Sequence, residues 1–207
     1  ARLFFVHTCV KLWYYEPDFV AIRNCEHFFI ERDVMGPGFV HLHVHSQYSI
    51  LDGACRVGQL VSAIAGRDVK AVAITDHGVM HGAVDFINQC KKKGVKPIIG
   101  CEFNVTRVHP DSTNKIYQLT AICRTLQGYK NMLYLVSKAH IEEYNDKTLA
   151  GYNPLTGMGI MDWSWFKDHA EGLTIFSGDL GSELAQAVIR KENVDAILHA
   201  MRDTFED

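Results

Sequence analysis

From Phe39 onward, short apolar runs rich in β-branched residues alternate with segments of helical character. The apolar runs predict strands at 39–44, 70–75, 96–105, 115–124 and 172–177. The segments between and after them predict helices near 55–65, 79–93, 126–144, 162–170, 182–191 and 194–205. Strands that alternate with helices indicate a parallel sheet. We therefore expect an α/β protein, either a barrel or a doubly wound sheet.

The first 38 residues are of a different character. They are aromatic, contain two cysteines and show no clean period of 2 or 3.6. The stretch "MGPGFVHLHVHS" reads as a natural start at Met35, so the sequence predicts an amino-terminal extension at 1–34 and a domain at 35–207. The extension is interpreted as upstream sequence translated through an early start, and an added strand or helix is the alternative.

Composition narrows the class of protein. With 207 residues, 47% of them hydrophobic, the chain can bury one core. A net charge of −3 gives no basic face for nucleic acid, so any DNA contact is expected through other parts of a larger protein. The six cysteines are scattered, which favours reduced, mostly buried thiols, and no apolar run reaches membrane-spanning length. The expectation is a soluble, cytoplasmic protein without membrane contact.

Polar side chains with metal-binding capacity cluster where the predicted strands end. Because sites in parallel α/β folds are built at the carboxyl edge of the sheet, we expect these side chains to converge. His43 and His45 lie two apart on a strand and share a face. Asp52 lies on the loop after that same strand, and Glu102 lies inside or at the end of the third strand. Asp76 and His77 follow the second strand, and Asp179 follows the fifth by two residues.

Position in the predicted strands suggests a role for His41, Asp76 and His77. His41 has the same parity as His43 but lies deeper in its strand, so it is expected beneath the site. Asp76 and His77 are adjacent and would point apart. We favour His77 as the ligand, with Asp76 orienting a loop or helix start.

Mixed imidazole and carboxylate ligands suit Zn²⁺, Mn²⁺ or Fe²⁺. Such ions can activate water and clamp a phosphoryl group, which is the chemistry of phosphoester hydrolysis. The alternative for each residue alone is structural: a coincidental His-x-His pair, or an Asp that caps a turn or helix.

Five stretches together resemble one family. These are "FVHLHVHSQYSILDGA", "AITDHGVMHGAVDF", "GVKPIIGCEFNV", "GYKNMLYLVSKA" and "GLTIFSGDLGSEL". In this order and spacing they are similar to the polymerase-and-histidinol-phosphatase (PHP) domain, particularly the one at the amino terminus of bacterial replicative DNA polymerase III alpha subunits. The resemblance runs from about Met35 to the end of the chain.

The resemblance implies a distorted (β/α)7 barrel of the PHP type, truncated here at its carboxyl end. It also implies up to three divalent metal ions at the strand ends. By motif, His43 and His45 match the first ligand pair, Asp52 the loop carboxylate, His77 the histidine of "TDH" and Glu102 the glutamate of "GCE".

Two positions depart from the family pattern. Members with an intact site have His where this chain has Gln118, and Cys where it has Asp179. A Gln amide is a poor ligand for a transition metal, whereas Asp179 can still coordinate one. The family's closing Asp-x-His pair is expected beyond residue 207.

The resemblance also implies a function. Within a DNA-directed DNA polymerase, a nucleotidyltransferase of DNA replication, the domain would act as a scaffold for the proofreading exonuclease subunit and as a metal-dependent phosphoesterase. The Mg²⁺-dependent polymerase site, the remaining domains and the DNA contacts would lie outside this chain. A stand-alone metal-dependent phosphoesterase and a non-catalytic binding module are the alternatives.

Overall fold

A mixed sheet flanked by helices forms the described parts of the chain. The computed structural model describes residues 2–4, 39–50, 52–112, 116–141 and 158–205. The strands are β1 Arg2–Phe4, β2 Ala71–Ile74, β3 Lys96–Thr106, β4 Ile116–Cys123, β5 Ile160–Met161 and β6 Leu173–Phe176. The α-helices are α1 Val57–Ala65, α2 Ala83–Lys93, α3 Leu126–Ile141, α4 Phe166–His169, α5 Glu183–Arg190 and α6 Val194–Phe205, with a 3₁₀ turn at Trp163–Trp165.

The strand order is β1-β6-β4-β3-β2, and β5 pairs with β3 beyond the end of β2. Strands β2 and β3 are parallel, as are β1 and β6, whereas β4 is antiparallel to both of its neighbours. The prediction of an all-parallel sheet is therefore wrong at β4. The α/β class is confirmed, as a mixed sheet with helices, and the described strands do not close into a barrel.

The short connection before β4 explains its direction. Residues 107–115 join β3 to β4, and the described part of this link, 107–112, contains no helix. Because a parallel crossover needs about a dozen residues or more, so short a link favours an antiparallel return. As a result, the beginning of β4 lies at the same edge of the sheet as the end of β3, and Gln118 pairs with Asn104.

The segment predicted as the first strand of the domain is irregular. It runs beside β2 through a single parallel bridge between His41 and Val72. The carbonyl oxygens of His41 and Val44 accept from the amides of Ala73 and Thr75 at 2.8 and 2.9 Å. The three-residue step from His41 to Val44 therefore lies against a two-residue step from Ala73 to Thr75, so no regular ladder forms.

The core divides into two clusters along β3. One lies under α1 and α2 and includes Val61, Ile64, Phe86, Cys90 and Ile99. The other lies between α3, α4, α6 and the sheet and includes Phe103, Leu119, Met132, Leu135, Phe166, Ile175 and Ile197. Each fully buried apolar side chain of this size stabilises the fold by roughly 1.5–3 kcal/mol relative to exposure.

Helix ends follow the local sequence. Helix α2 ends in Lys91–Lys93, whose charges favour the negative pole of the helix, and Gly94 adopts the left-handed conformation (φ 67°) that closes it, as the sequence predicts. Helix α5 begins at Ser182, whose hydroxyl accepts from the amide of Ala185. In the part of the chain that the structure describes, no helix is long and apolar enough to cross a membrane.

Among the described residues, the cysteines depart from their prediction at one position. Cys90, Cys101 and Cys123 are free thiols, and the first two are buried. Cys55 is disulfide-bonded. Most of the predicted amino-terminal extension lies outside the described residues, as does its boundary at Met35. Within the extension, Arg2–Phe4 form β1.

Candidate metal centre

Glu102 is the point on which two histidines converge. Its carboxylate is 2% exposed, and its Oε2 atom lies 2.8 Å from His43 Nε2 and 2.6 Å from His45 Nε2. The two imidazole nitrogens are 3.3 Å apart. Among the described residues, these three side chains are the one group that brings three imidazole, thiolate or carboxylate ligand atoms within 4.8 Å of one another.

Thr75 fixes the backbone between the two histidines. Its hydroxyl accepts from the amide of Val44 at 2.8 Å and lies 3.2 Å from the carbonyl oxygen of the same residue. Since Val44 separates His43 from His45, the end of β2 sets the direction of both imidazoles.

Asp76 organises the turn that follows the histidines. Its carboxylate is buried and accepts from the amide of Ser46 at 2.6 Å and from the hydroxyls of Ser46 and Ser49 at 2.8 Å each. Its carbonyl oxygen accepts from the amide of Glu102 at 3.1 Å. Asp76 therefore ties the histidine segment to β3, and its carboxylate oxygens are engaged in this network.

His77 lies beside the cluster and contacts Asp52 with one ring nitrogen and Asn104 with the other. Its Nδ1 lies 2.8 Å from Asp52 Oδ2, and its Nε2 lies 3.1 Å from Asn104 Oδ1. Its ring stacks on that of His45, with centroids 6.1 Å apart. The pair of Asp52 and His77 is thus placed next to the three-residue cluster.

His41 is buried and does not belong to the cluster. Its ring packs edge-to-face on Phe39 at 4.8 Å between centroids. Burial lowers the pKa of His41, and the nearby charge of Arg67 lowers it further. Its imidazole therefore favours the neutral form.

Gln118 and Asp179 meet at another corner. Both contact Gly181. The backbone amide of Gln118 donates to the Gly181 carbonyl oxygen at 3.0 Å, and Asp179 Oδ1 accepts from the Gly181 backbone amide at 2.7 Å. Neither belongs to the three-residue cluster. The sequence predicted both positions within one site, whereas the structure places them together at the turn after β6, outside the three-residue cluster.

The charge on Glu102 is set by competing effects. Burial raises the pKa of its carboxyl, but the hydrogen bonds and charges of His43 and His45 together lower it by more. The pKa consequently lies well below the usual value, and the carboxylate stays ionised at neutral pH. An anionic oxygen between two imidazoles is suited to a divalent cation.

The donor set fits one such ion. Two imidazole nitrogens and a carboxylate oxygen form a ligand set found in catalytic zinc sites, where a fourth position remains for water. Mn²⁺ and Fe²⁺ accept the same ligands.

Sequence reasoning missed the residues that support the ligands. Asn104 could have been found, because it lies two residues after Glu102 on β3 and so shares its face. Thr75, Ser46 and Ser49 carry no such signal, since hydroxyl residues are common at strand ends and turns.

Comparison with known sequences defines the class to which this fold and site belong. The profile of the PHP domain matches residues 41–207, and the chain therefore belongs to the PHP domain family. An amidohydrolase from Chromobacterium violaceum is only distantly similar in structure, with a TM-score of 0.39 and 18% identity over 49% of this chain and 33% of that one.

Individual relatives narrow the class further. The chain is similar to "DNA polymerase III subunit alpha" of Treponema pallidum, with 36% identity over 170 residues, 79% of this chain and 14% of the relative. The same protein of Vibrio cholerae is 31% identical over 173 residues, 83% and 14%. That of Deinococcus radiodurans is 36% identical over 184 residues, 82% and 13%. The chain thus spans about 14% of the length of these relatives.

Proposed function

We propose that this chain is the PHP part of a replicative DNA polymerase III alpha subunit. The identity of 31–36% to such subunits over about 80% of the chain carries the proposal. In it, nucleotidyl transfer and its Mg²⁺ ions belong to parts of the subunit outside these residues. The protein would work in the cytoplasm and reach DNA through the full-length subunit.

The domain's own role in this proposal is that of a scaffold. It would hold the proofreading exonuclease subunit and contact the remaining domains of the alpha subunit. The described sheet and helices would form part of the distorted (β/α)7 barrel that the family resemblance implies. Supporting this, the sheet already brings the ends of β2, β3 and β6 and the start of β4 to one edge.

The proposal includes a divalent metal ion held by His43, His45 and Glu102, with Asp52 and His77 beside it. An ion there would supply Lewis acidity toward water and a phosphoryl oxygen. The ionised Glu102 and the two imidazoles would bind it, and Asp76 and Thr75 would orient them. This cluster is also the one observation that favours a second candidate, a stand-alone metal-dependent phosphoesterase.

Two measurements on the purified chain test the proposal. Calorimetry is expected to show that the proofreading exonuclease subunit binds with a 1:1 stoichiometry. The absence of binding would contradict the scaffold role. Zn²⁺ or Mn²⁺ binding is expected in the wild type and not in His45→Ala, while His199→Ala, an exposed histidine on α6, serves as the control.

Hydrolysis of a phosphomonoester separates the two candidates. Turnover that is abolished by a chelator and by His45→Ala, without exonuclease binding, would favour the stand-alone phosphoesterase. Exonuclease binding without turnover would favour the scaffold.

A further inference from the structure

The corner of the centre around Gly181 is built differently from the ligand cluster. Because β4 runs antiparallel to β3, Gln118 and Asn104 are paired and share the sheet face with Glu102. The side chain of Gln118 nevertheless reaches the turn after β6. Its amide oxygen fills the space that a Cβ atom at Gly181 would need.

Asp179 closes that same turn. Its Oδ1 accepts from the amide of Gly181 at 2.7 Å, and its carbonyl oxygen accepts from the amide of Ser182 at 3.0 Å. Gly178, at φ 85°, provides the left-handed bend that starts the turn. The turn leads into Ser182, which caps α5. The carboxylate of Asp179 thus has the geometry of a turn-closing residue.

The side chains at this corner are poorly suited to holding a metal ion. A Gln amide oxygen is a weak ligand for Zn²⁺, Mn²⁺ or Fe²⁺. The Asp179 carboxylate does not join His43, His45 and Glu102 in their cluster. In contrast, the backbone bonds across the corner are already made, with Gln118 donating to Gly181 at 3.0 Å.

We propose that Gln118, Asp179 and Gly181 form a metal-independent latch that docks the turn after β6 onto β4, and that this corner consequently adds no ion to the single one that His43, His45 and Glu102 would hold. The ion count rests on the proposed metal binding by His43, His45 and Glu102. The latch itself does not, because its hydrogen bonds involve none of these side chains.

Two substitutions at Asp179 distinguish a latch from a ligand. Asp179→Asn keeps an oxygen that can accept from Gly181 but loses the anionic ligand, whereas Asp179→Ala loses both. With Zn²⁺ and with Mn²⁺, elemental analysis and calorimetry are expected to give one ion per chain for the wild type and both variants. Asp168→Ala, an exposed acidic residue on α4, is the matched control.

Thermal unfolding tests the latch independently of metal binding. Asp179→Ala is expected to lower the melting temperature by about 2–4 °C, equally with excess chelator and with metal, while Asp179→Asn and the control stay near the wild type. Should Asp179→Ala not fold, Gln118→Ala removes the side chain that packs on Gly181 and keeps the backbone bond, and a chelator-independent loss of melting temperature is expected there too.

Each outcome decides a separate claim. Two or more ions in the wild type, one of them lost in Asp179→Asn, would overturn the latch and leave the metal centre standing. No ion in the folded wild type would overturn the ion count together with the proposed metal centre, and the chelator-independent loss in Asp179→Ala would still uphold the latch. An unchanged melting temperature in Asp179→Ala would overturn the latch itself.

Discussion

Glu102 Oε2 is the atom shared by both imidazoles of the cluster. Its burial on β3 and the two nitrogens at 2.8 and 2.6 Å leave the carboxylate ionised and oriented. Strand-end position and spacing are enough to predict His43, His45 and Glu102 from the sequence. Side-chain direction within the irregular segment at 39–45 is not, because it depends on Thr75 and Asp76 from another strand.

Replacing Glu102 with Gln tests this convergence. Glu102→Gln removes the anionic ligand while keeping size and shape, so Zn²⁺ affinity should fall by about 100-fold or more, beyond the 10–100-fold typical of supporting residues. Competition against a coloured chelator measures the change. Glu171→Gln, an exposed glutamate before β6, should bind Zn²⁺ like the wild type. Equal affinity in Glu102→Gln would remove Glu102 from the ligand set.

Cys90 gives a prediction about pH. Burial in the α1–α2 core raises the pKa of its thiol to about 11. Because the folded pKa exceeds the unfolded one, the thiol's contribution to stability is complete below about pH 8.5 and is lost as the pH rises toward 11. Urea unfolding should show the wild type losing more stability than Cys90→Ala between pH 8.5 and 10.5. Equal losses of stability in the wild type and Cys90→Ala would contradict the raised pKa of the thiol.

At the scale of elements, α3 meets the turn before β6 through two glycines. A Cβ on Gly128 would overlap the backbone of Gly172, and Gly172 itself has φ 73°. This contact, together with Asn131 Nδ2 donating to the Glu171 carbonyl oxygen at 2.9 Å, fixes the position of α3 on the sheet.

A pair of glycine substitutions separates close approach from backbone conformation. Gly128→Ala should destabilise the fold by about 1–3 kcal/mol, because the rigid backbone of Gly172 cannot move away from an added methyl group. Gly94→Ala, with φ 67° and open space around it, should lose only about 1 kcal/mol, the conformational cost. Urea unfolding measures both. A smaller loss in Gly128→Ala than in Gly94→Ala would contradict the close packing.

Most elements of the domain could be predicted from their periodicity, including β2, β3, β4 and β6 and helices α1 to α3. The direction of β4 was missed, because an apolar strand has the same pattern in either direction, although the short link at 107–115 carried the information. Strand β5 has two residues and therefore no readable period. The turn at 178–181 becomes part of the site's surroundings only once β4 is placed antiparallel.

At the scale of the molecule, the candidate centre is built on β3, the strand that both core clusters share. Ile99 on β3 belongs to the cluster under α1 and α2, whereas Cys101 and Phe103 belong to the other. Glu102 lies between Cys101 and Phe103 on the same strand. His43 and His45 approach from the side of the first cluster, and Met80 and Cys123 pack against both. A bound ion would therefore join the histidine segment to the strand that the two clusters share.

That arrangement predicts where metal binding stabilises the fold. At a free metal concentration 100 times its dissociation constant, the bound state gains about 2.7 kcal/mol, which corresponds to about 100-fold slower local opening. The amides of Thr75, Ser46, His77 and Glu102 all bond across this junction. Their hydrogen exchange should slow on addition of Zn²⁺ or Mn²⁺, whereas exchange in α5 and α6 should change little.

Mass-spectrometric hydrogen exchange on the wild type, His45→Ala and His199→Ala measures this pattern. The wild type and His199→Ala should show metal-dependent protection at residues 41–49 and 75–78 and at Glu102, and His45→Ala should show none. Uniform slowing throughout the described helices would indicate instead that the ion stabilises only the globally folded state. Slowing confined to 178–182 would place the ion at the Asp179 corner, because only that turn would then be held by it.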